Sequence, residues 1–158
     1  MAAGQVEIGV VAAEGDLVGL ETQPYRQDRL VLIVPAAHPL AAGEQVNFAD
    51  VLAEPFVCLH AGSAIHTFMM NAANQLGGRL DVRIQVRSFN AVCRMVAAGV
   101  GIGMVPNSSI ITVDGLKALK INDAWAPRDL QLCIRSRSAL SPAASALLAH
   151  LADKGRQS

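Results

Sequence analysis

The sequence carries no excess of either charge. Lys plus Arg and Asp plus Glu each number 13 among the 158 residues, so the formal net charge at pH 7 is zero. Binding to nucleic acid generally needs a basic surface that displaces phosphate counterions, and the composition therefore argues against direct contact with DNA or RNA. Hydrophobic residues make up 52% and charged residues 16%, which favours a buried core over disorder.

Long hydrophobic runs are also missing. The longest, from Leu30 to Ala37, is far shorter than the roughly 20 residues that a membrane-spanning helix needs. The N-terminus has no basic region followed by an apolar run and a small-residue cleavage site. These absences predict a cytoplasmic protein.

Patterns that would indicate a metal, a cofactor or a catalytic centre are absent as well. Cys58, Cys93 and Cys133 lie far apart among apolar neighbours, without metal-ligand spacing, so we interpret them as buried free thiols. No Gly-x-Ser-x-Gly elbow of a serine hydrolase occurs. The glycines in Gly99–Gly103 follow a predicted helix and precede a strand, the reverse of nucleotide-binding order, and indicate a helix end and close strand packing. The sequence predicts no metal ion, no cofactor and no enzyme.

Strand and helix patterns alternate through the middle of the chain. The run from Arg29 to Val34 is continuously apolar after its first residue and fits a strand buried on both faces. Such alternation favours an α/β fold with a largely parallel sheet. The predicted strands cover residues 6–10, 29–34, 56–59, 80–86, 101–105, 116–121 and 130–135, and the predicted helices cover 48–52, 64–76, 89–97 and 143–152.

The longer helices have recognisable ends. Ser63, Ser88 and Ser141 stand where a helix N-cap is expected, because a serine oxygen accepts a hydrogen bond from a first-turn amide. Gly77 and Gly99 follow the first two helices and tolerate the positive φ of a helix C-terminus. These signals predict two strand–turn–helix units between residues 56 and 99.

Three segments in this order resemble the effector-binding domain of LysR-type transcriptional regulators. The first is the strand Leu30–Pro35 with the turn His38–Ala41. The second is the helix, glycine turn and strand of Val96–Pro106, and the third is Arg128–Leu132 with the helix start Leu140–Ala144. Together they cover nearly the whole chain. The resemblance implies a two-lobed α/β fold like that of type 2 periplasmic binding proteins, with a small effector bound between the lobes.

The resemblance also implies how the chain is divided. One lobe would comprise residues 1–35 and 134–158, and the other residues 36–133. Strands near 30–35 and 130–135 would cross between the lobes, and their bending would set the opening of the cleft. We expect the second lobe to be complete and the first to lack its leading strands and helices. The winged helix-turn-helix of the family is not seen, so DNA would be reached only through a domain outside this chain.

Two turns form the candidate effector site. In an open α/β sheet, turns that follow strands lie at the carboxyl edge, where ligands bind, and a helix N-terminus favours an anion. Ser63 and Ser88 would donate hydrogen bonds to the effector, or, in the alternative interpretation, would only cap their helices. His60 is either a ligand contact or an exposed loop residue. A small carboxylate is the favoured effector. The predicted effector-binding residues are Val11, Ala12, His60, Gly62, Ser63, Ser88, Phe89 and Asn90, and all of them except His60 match the effector-contacting segments of the family.

A sensor of this kind is the leading interpretation of the sequence. The alternative is a free-standing solute-binding protein of the same fold, which would need export, and an enzyme on this fold would need a catalytic set that the sequence lacks.

Without leading strands, the strand at 6–10 and the stripe formed by Leu147, Leu148 and Leu151 would be short of apolar partners. We therefore expect self-association, to a dimer or a higher oligomer.

Overall fold

The chain divides into two structural units, each built from segments described below. The computed structural model describes residues 6–13 and 17–155. The first unit consists of Met1–Asp28 and Pro127–Ser158, and the second of Arg29–Ala126, so the chain passes between them twice. The chain leaves the first unit after residue 28 and returns to it after residue 126. The resemblance implied boundaries after residues 35 and 133, so each boundary lies seven residues earlier than expected. The reason is that the apolar run after Arg29 is buried within the second unit.

Most of the predicted elements are present, and the largest differences in extent concern one strand and one helix. The strand expected at 29–34 begins at Glu21, and the helix expected at 48–52 is a short 3-10 helix, Phe48–Val51. Further 3-10 helices are Pro39–Ala42, Asn107–Ser109 and Arg137–Ala139. In chain order the strands and α-helices are β1 (Ile8–Ala12), β2 (Glu21–Pro35), β3 (Gln45–Val46), β4 (Pro55–Leu59), α1 (Ala64–Gln75), β5 (Asp81–Val86), α2 (Phe89–Ala97), β6 (Gly103–Pro106), β7 (Leu116–Ile121), β8 (Pro127–Ile134) and α3 (Pro142–Gly155).

The apolar half of β2 forms the centre of the second unit. Leu30, Leu32 and Val34 pack in one cluster of buried residues, whereas Val31 and Ile33 pack in another, because successive side chains on a strand point to opposite faces. All five are at most 5% exposed. The prediction of a strand buried on both faces is confirmed.

The pairing of the strands differs from the prediction. Strand β2 pairs with β6 and β7 in the antiparallel direction, and β1 pairs with β8 in the same way. Parallel pairing occurs between β4 and β5 and between β3 and β7. The expectation of a largely parallel sheet was therefore wrong. A parallel neighbour needs a crossover such as a helix, and strand–helix–strand order is confined to the stretch from β4 to β6.

Two glycines between α2 and β6 confirm the structural interpretation of the Gly99–Gly103 run. Gly99 has a φ of +84° and follows the end of α2, as a helix C-terminus requires. Gly101 lies so close to β4 that a Cβ atom would overlap the carbonyl oxygen of Pro55. The neighbouring Ile102 donates from its amide to the same Pro55 oxygen over 2.8 Å, which holds this approach.

The first unit has a smaller core around α3. Leu132, Ile134 and Leu148 are its buried apolar residues, and Leu151 packs against them. Leu147 is 50% exposed, so only part of the predicted apolar stripe of α3 is covered. Ser141 caps α3, since its Oγ accepts from the amide of Ala144 over 3.2 Å.

Glu7 lies outside the first strand and supports the start of α3 instead. The predicted strand at 6–10 is displaced to β1, Ile8–Ala12. The carboxylate of Glu7 accepts from the amide of Ser141 over 2.8 Å and from its hydroxyl over 3.0 Å. A carboxylate at this position also interacts favourably with the N-terminal end of the helix dipole.

The three cysteines are buried free thiols, as predicted. Cys58, on β4, belongs to the larger apolar cluster of the second unit. Burial raises the pKa of its thiol from 9.0 to about 11, because the low-polarity surroundings disfavour the thiolate. At neutral pH this group is therefore an apolar core residue and not a nucleophile.

The free energy of unfolding is expected to fall above pH 9 because of Cys58. In the folded protein the thiol keeps its proton up to a pKa of about 11, whereas in the unfolded chain it ionises near 9.0. Between these values the unfolded state binds fewer protons, so stability is lost as the pH rises. Chemical denaturation across this window checks the prediction. A Cys58→Ala variant should show a shallower dependence, and an equally steep fall would contradict the assignment.

Candidate functional site

The two turns predicted to bind a ligand lie at the same edge of one small sheet. Strands β4 and β5 run parallel as direct neighbours, with Leu59 opposite Val86, so their carboxyl ends coincide. The amide of His60 extends this pairing by donating to the carbonyl oxygen of Val86 over 2.9 Å. Because α1 and α2 begin directly after these strands, the N-termini of both helices are brought to this edge.

The two helices cover opposite faces of the β4–β5 sheet. Cys58 of β4 shares a buried cluster with residues of α1, whereas its neighbour Val57 shares the other cluster with residues of α2. The polypeptide thus leaves the sheet in opposite directions at neighbouring strand ends. Crevices of this type, outside the carboxyl ends of parallel strands, are where open α/β folds bind small molecules.

Both serines of the candidate site cap their own helices. The Ser63 Oγ accepts from the amide of His66 over 3.2 Å, and the Ser88 Oγ accepts from the amide of Ala91 over 3.1 Å. The capping role considered as the alternative interpretation is therefore present. It leaves a second role open, since a hydroxyl that accepts a hydrogen bond still has its own proton to donate.

The other predicted residues of the two turns differ in exposure. His60 and Gly62 are exposed, and a Cβ atom at Gly62 would meet no atom within 4 Å, so the space beside this turn is open. Phe89 is half-buried against the apolar clusters. Asn90 is exposed, and its side-chain oxygen accepts from the Nε of Arg94 over 2.9 Å, one helical turn away.

The remaining two predicted residues belong to the first unit. Val11 and Ala12 are half-buried at the end of β1, opposite Gln131 and Leu130 of β8. They are therefore carried by a different part of the chain from the six residues of the two turns.

Sequence reasoning missed one charged residue at this edge. Arg87 is exposed and links the last residue of β5 to the cap of α2. Its guanidinium is a cation of the kind that pairs with carboxylates in a bidentate manner. Its position in the sequence indicates a place at this edge, because Arg87 stands directly before the capping Ser88, where the chain leaves a strand.

Within residues 6–13 and 17–155, no group of three or more His, Cys, Asp and Glu side chains has an arrangement that would hold a metal ion. Nor does any helix in this part of the chain have the length and apolar character needed to cross a membrane. The chemistry that the described edge offers is that of hydroxyl groups, backbone amides at helix N-termini, an imidazole and a guanidinium.

Comparison with known proteins identifies the family. The sequence profile of the LysR substrate binding domain matches residues 1–156. The probable RuBisCO transcriptional regulator of Emiliania huxleyi is 28% identical over 146 residues, which cover 87% of this chain and 46% of that protein. The chain thus spans about half the length of the curated relatives that it matches. It belongs to the LysR substrate binding domain family.

Solved structures of the family confirm the two-lobed α/β fold. The regulatory domain of CcmR from Synechocystis PCC6803, in complex with 2-PG, has a TM-score of 0.81 at 22% identity, over 97% of this chain and 75% of that one. The effector-binding domain of BenM with its effector benzoate has a TM-score of 0.73 at 25% identity, over 98% of this chain and 70% of that one. The resemblance found in the sequence is therefore confirmed at the level of family and fold.

Proposed function

We propose that this chain is the effector-sensing part of a LysR-type transcriptional regulator and that its effector is a small carboxylate. The observation that carries the proposal is the parallel pairing of β4 and β5, which brings two serine-capped helix N-termini to one sheet edge. Each N-terminus offers amides without an intrahelical partner and a partial positive charge. An anion bound there would interact favourably with both helices at once.

The proposed roles of the residues follow from their chemistry. The hydroxyls of Ser63 and Ser88 would donate to the carboxylate while they continue to accept from their helix amides. The half-buried ring of Phe89 would pack against the apolar part of the effector. Gly62 would allow close approach, because no atom fills the space where its side chain would stand. Exposed Arg87 would add a guanidinium.

The other four predicted residues have supporting roles in this proposal. His60 and Asn90, both exposed, would contact polar groups of the effector beyond its carboxylate. Val11 and Ala12 would be the contribution of the first unit. A bound effector would then shift the equilibrium between two arrangements of the units. The size of this shift would equal the difference between its binding free energies for the two arrangements.

Properties of the relatives support the remaining parts of the proposal. Benzoate, the effector of the BenM domain, is a small carboxylate, and the relatives matched in sequence are named as transcriptional regulators, not enzymes. We therefore infer a non-enzymatic, cytoplasmic sensor whose parent protein contacts DNA through another domain. The competing interpretation is a free-standing solute-binding protein. If the chain is part of a LysR-type regulator, the gene upstream of Met1 should encode a helix-turn-helix. If it is a free-standing solute-binding protein, that region should encode a secretion signal.

Ligand-induced stabilisation tests the proposed effector class. A ligand that binds only the folded state raises the melting temperature. At concentrations above Kd, this increase grows with the logarithm of the ligand concentration. We expect one or more members of a panel of small organic carboxylates to raise the melting temperature at millimolar concentration, while their uncharged amides do not. Stabilisation by the amides as strong as that by the acids would contradict a site built for an anion.

A further inference from the structure

Four aromatic side chains of the second unit form a continuous row. Phe68 contacts Trp125 with ring centroids 5.0 Å apart, and Trp125 contacts Phe48 at 5.5 Å. Phe48 in turn contacts Phe56 at 6.3 Å. All three contacts are edge-to-face, a geometry that pairs of aromatic rings favour. These four residues are called the aromatic row below.

Two members of the aromatic row lie on the elements that carry the Ser63 turn. Phe56 lies on β4, which leads into the turn, and Phe68 lies on α1, which begins at the Ser63 cap. Phe56 is fully buried and Phe68 is half-buried. Because protein interiors are close-packed, a displacement of α1 has to be accommodated by the rings that it contacts. Trp125 is one of these rings.

Trp125 lies directly beside the points where the chain enters and leaves the second unit. Ala126, its neighbour in sequence, is fully buried and is the last residue of this unit. The carbonyl oxygen of Ala126 accepts from the amide of Leu30 over 2.8 Å. Leu30 is the second residue of the same unit, which begins at Arg29. This hydrogen bond therefore joins the first and last residues of the second unit, next to Trp125.

The turn that carries Trp125 is itself attached to the aromatic row. The carboxylate of Asp123 accepts from the amide of Phe48 over 2.8 Å, and its carbonyl oxygen accepts from the amide of Ala126 over 3.0 Å. The backbone on both sides of Trp125 is thus held by hydrogen bonds. A displacement of its ring is therefore expected to reach Ala126 through a short and constrained segment of backbone.

We propose that Trp125 is a positioning residue that transmits displacements of the Ser63 turn and α1 to the hydrogen bond between Leu30 and Ala126. An effector bound at this turn would thereby act on both points where the chain passes between the units. The inference rests on the proposed effector site and adds to it the residue that links the site to these points. Small shifts at a ligand site are amplified where a packed interior changes as a whole.

Removal of the two serine caps tests the transmission without any ligand. Ser63→Ala removes the cap of α1, which carries Phe68, whereas Ser88→Ala removes the equivalent cap of α2, which carries no member of the aromatic row. We expect Ser63→Ala to raise the hydrogen-exchange rate of the Leu30 amide about threefold or more and to shift the emission of Trp125, the only tryptophan of the chain. Ser88→Ala should do neither. Equal effects of both variants, or no effect of Ser63→Ala, would overturn the proposal.

Variants of Trp125 distinguish a positioning role from simple packing. Trp125→Phe keeps an aromatic ring, whereas Trp125→Leu keeps an apolar side chain without one. Combined with Ser63→Ala, Trp125→Leu should abolish the response of the Leu30 amide, and Trp125→Phe should retain about half of it or more. Should Trp125→Leu fail to fold, Phe68→Leu gives the same decision, because it removes the other ring of the contact. A response that persists without the ring contact would contradict transmission through Trp125.

A bound carboxylate tests the inference separately from the proposed function. Calorimetry measures binding, while the emission of Trp125 reports on its ring. We expect a carboxylate that binds to change this emission with the same Kd, and Phe68→Leu to lose about half of the change or more at an affinity within about threefold of the wild type. Binding without a change in emission would overturn the inference and leave the effector site intact. If no carboxylate bound, the proposed function would be wrong, and the cap variants would still decide whether Trp125 transmits.

Discussion

Replacing Ser63 by Asp is expected to weaken carboxylate binding by about 30-fold or more, while the melting temperature of the free protein stays close to that of the wild type. Aspartate is as good an N-cap as serine, so it can accept the hydrogen bond that Ser63 accepts from the His66 amide. Its charge, however, would lie beside the proposed carboxylate. Two such charges about 4 Å apart repel by about 4 kcal/mol at an effective dielectric constant near 20, and partial exposure reduces this to about 2 kcal/mol.

Affinity for a carboxylate is therefore expected to drop by about 30-fold or more in Ser63→Asp. Isothermal titration with a carboxylate that stabilises the wild type provides the measurement. Ser63→Asn is the matched control, because asparagine also caps a helix but carries no charge; we expect it to lose much less affinity. Ser63→Ala should lose about 1 kcal/mol of folding stability together with some affinity. Retention of wild-type affinity in Ser63→Asp would remove this turn from the effector site.

Replacing Gly101 by Ala is expected to destabilise the protein by about 2 to 4 kcal/mol, a large part of the stability of a typical domain. The new methyl group would overlap the carbonyl oxygen of Pro55. That oxygen is part of the backbone of β4 and accepts from the amide of Ile102, so it cannot rotate away. The overlap is removed only if the segment after α2 separates from β4. This separation would break hydrogen bonds and disturb the core packing around Phe56.

Urea denaturation of Gly101→Ala, with Gly43→Ala as the control, measures this effect. At Gly43 a Cβ atom would meet its nearest neighbour, the carbonyl oxygen of Leu40, at an ordinary 3.6 Å. The φ of Gly43 is −94°, which alanine adopts readily, so this substitution should be neutral or slightly stabilising. If both variants unfolded at the same urea concentration, the close approach of Gly101 to β4 would not be a determinant of stability.

Helix boundaries were predicted well because their signals are local. Ser63 and Ser88 each accept from the amide three residues later, and Gly99 has the positive φ expected after α2. Each of these interactions joins residues within a few positions of one another. The short sequence around a helix end therefore contains nearly all of the information that determines it.

Strand β2 illustrates what local patterns do not contain. Its second half, Leu30–Val34, is an apolar run that predicts a buried strand. Its first half, Glu21–Arg29, is mostly exposed, includes Pro24 and has the composition of a loop. This half is a strand because it continues the sheet in which β8 is its neighbour. Pairing with a distant segment overrides local preference here, as it often does for β-structure.

The sequence by itself determined the family, the caps and ends of the main helices, the buried thiols and the apolar strand at the centre of the second unit. Only the tertiary structure decided the direction of strand pairing and the adjacency of the Ser63 and Ser88 turns. The physical reason is the range of the interactions. A cap or a turn depends on neighbouring residues, whereas the register of Leu59 with Val86 depends on how two whole strand–helix units bury their apolar faces together.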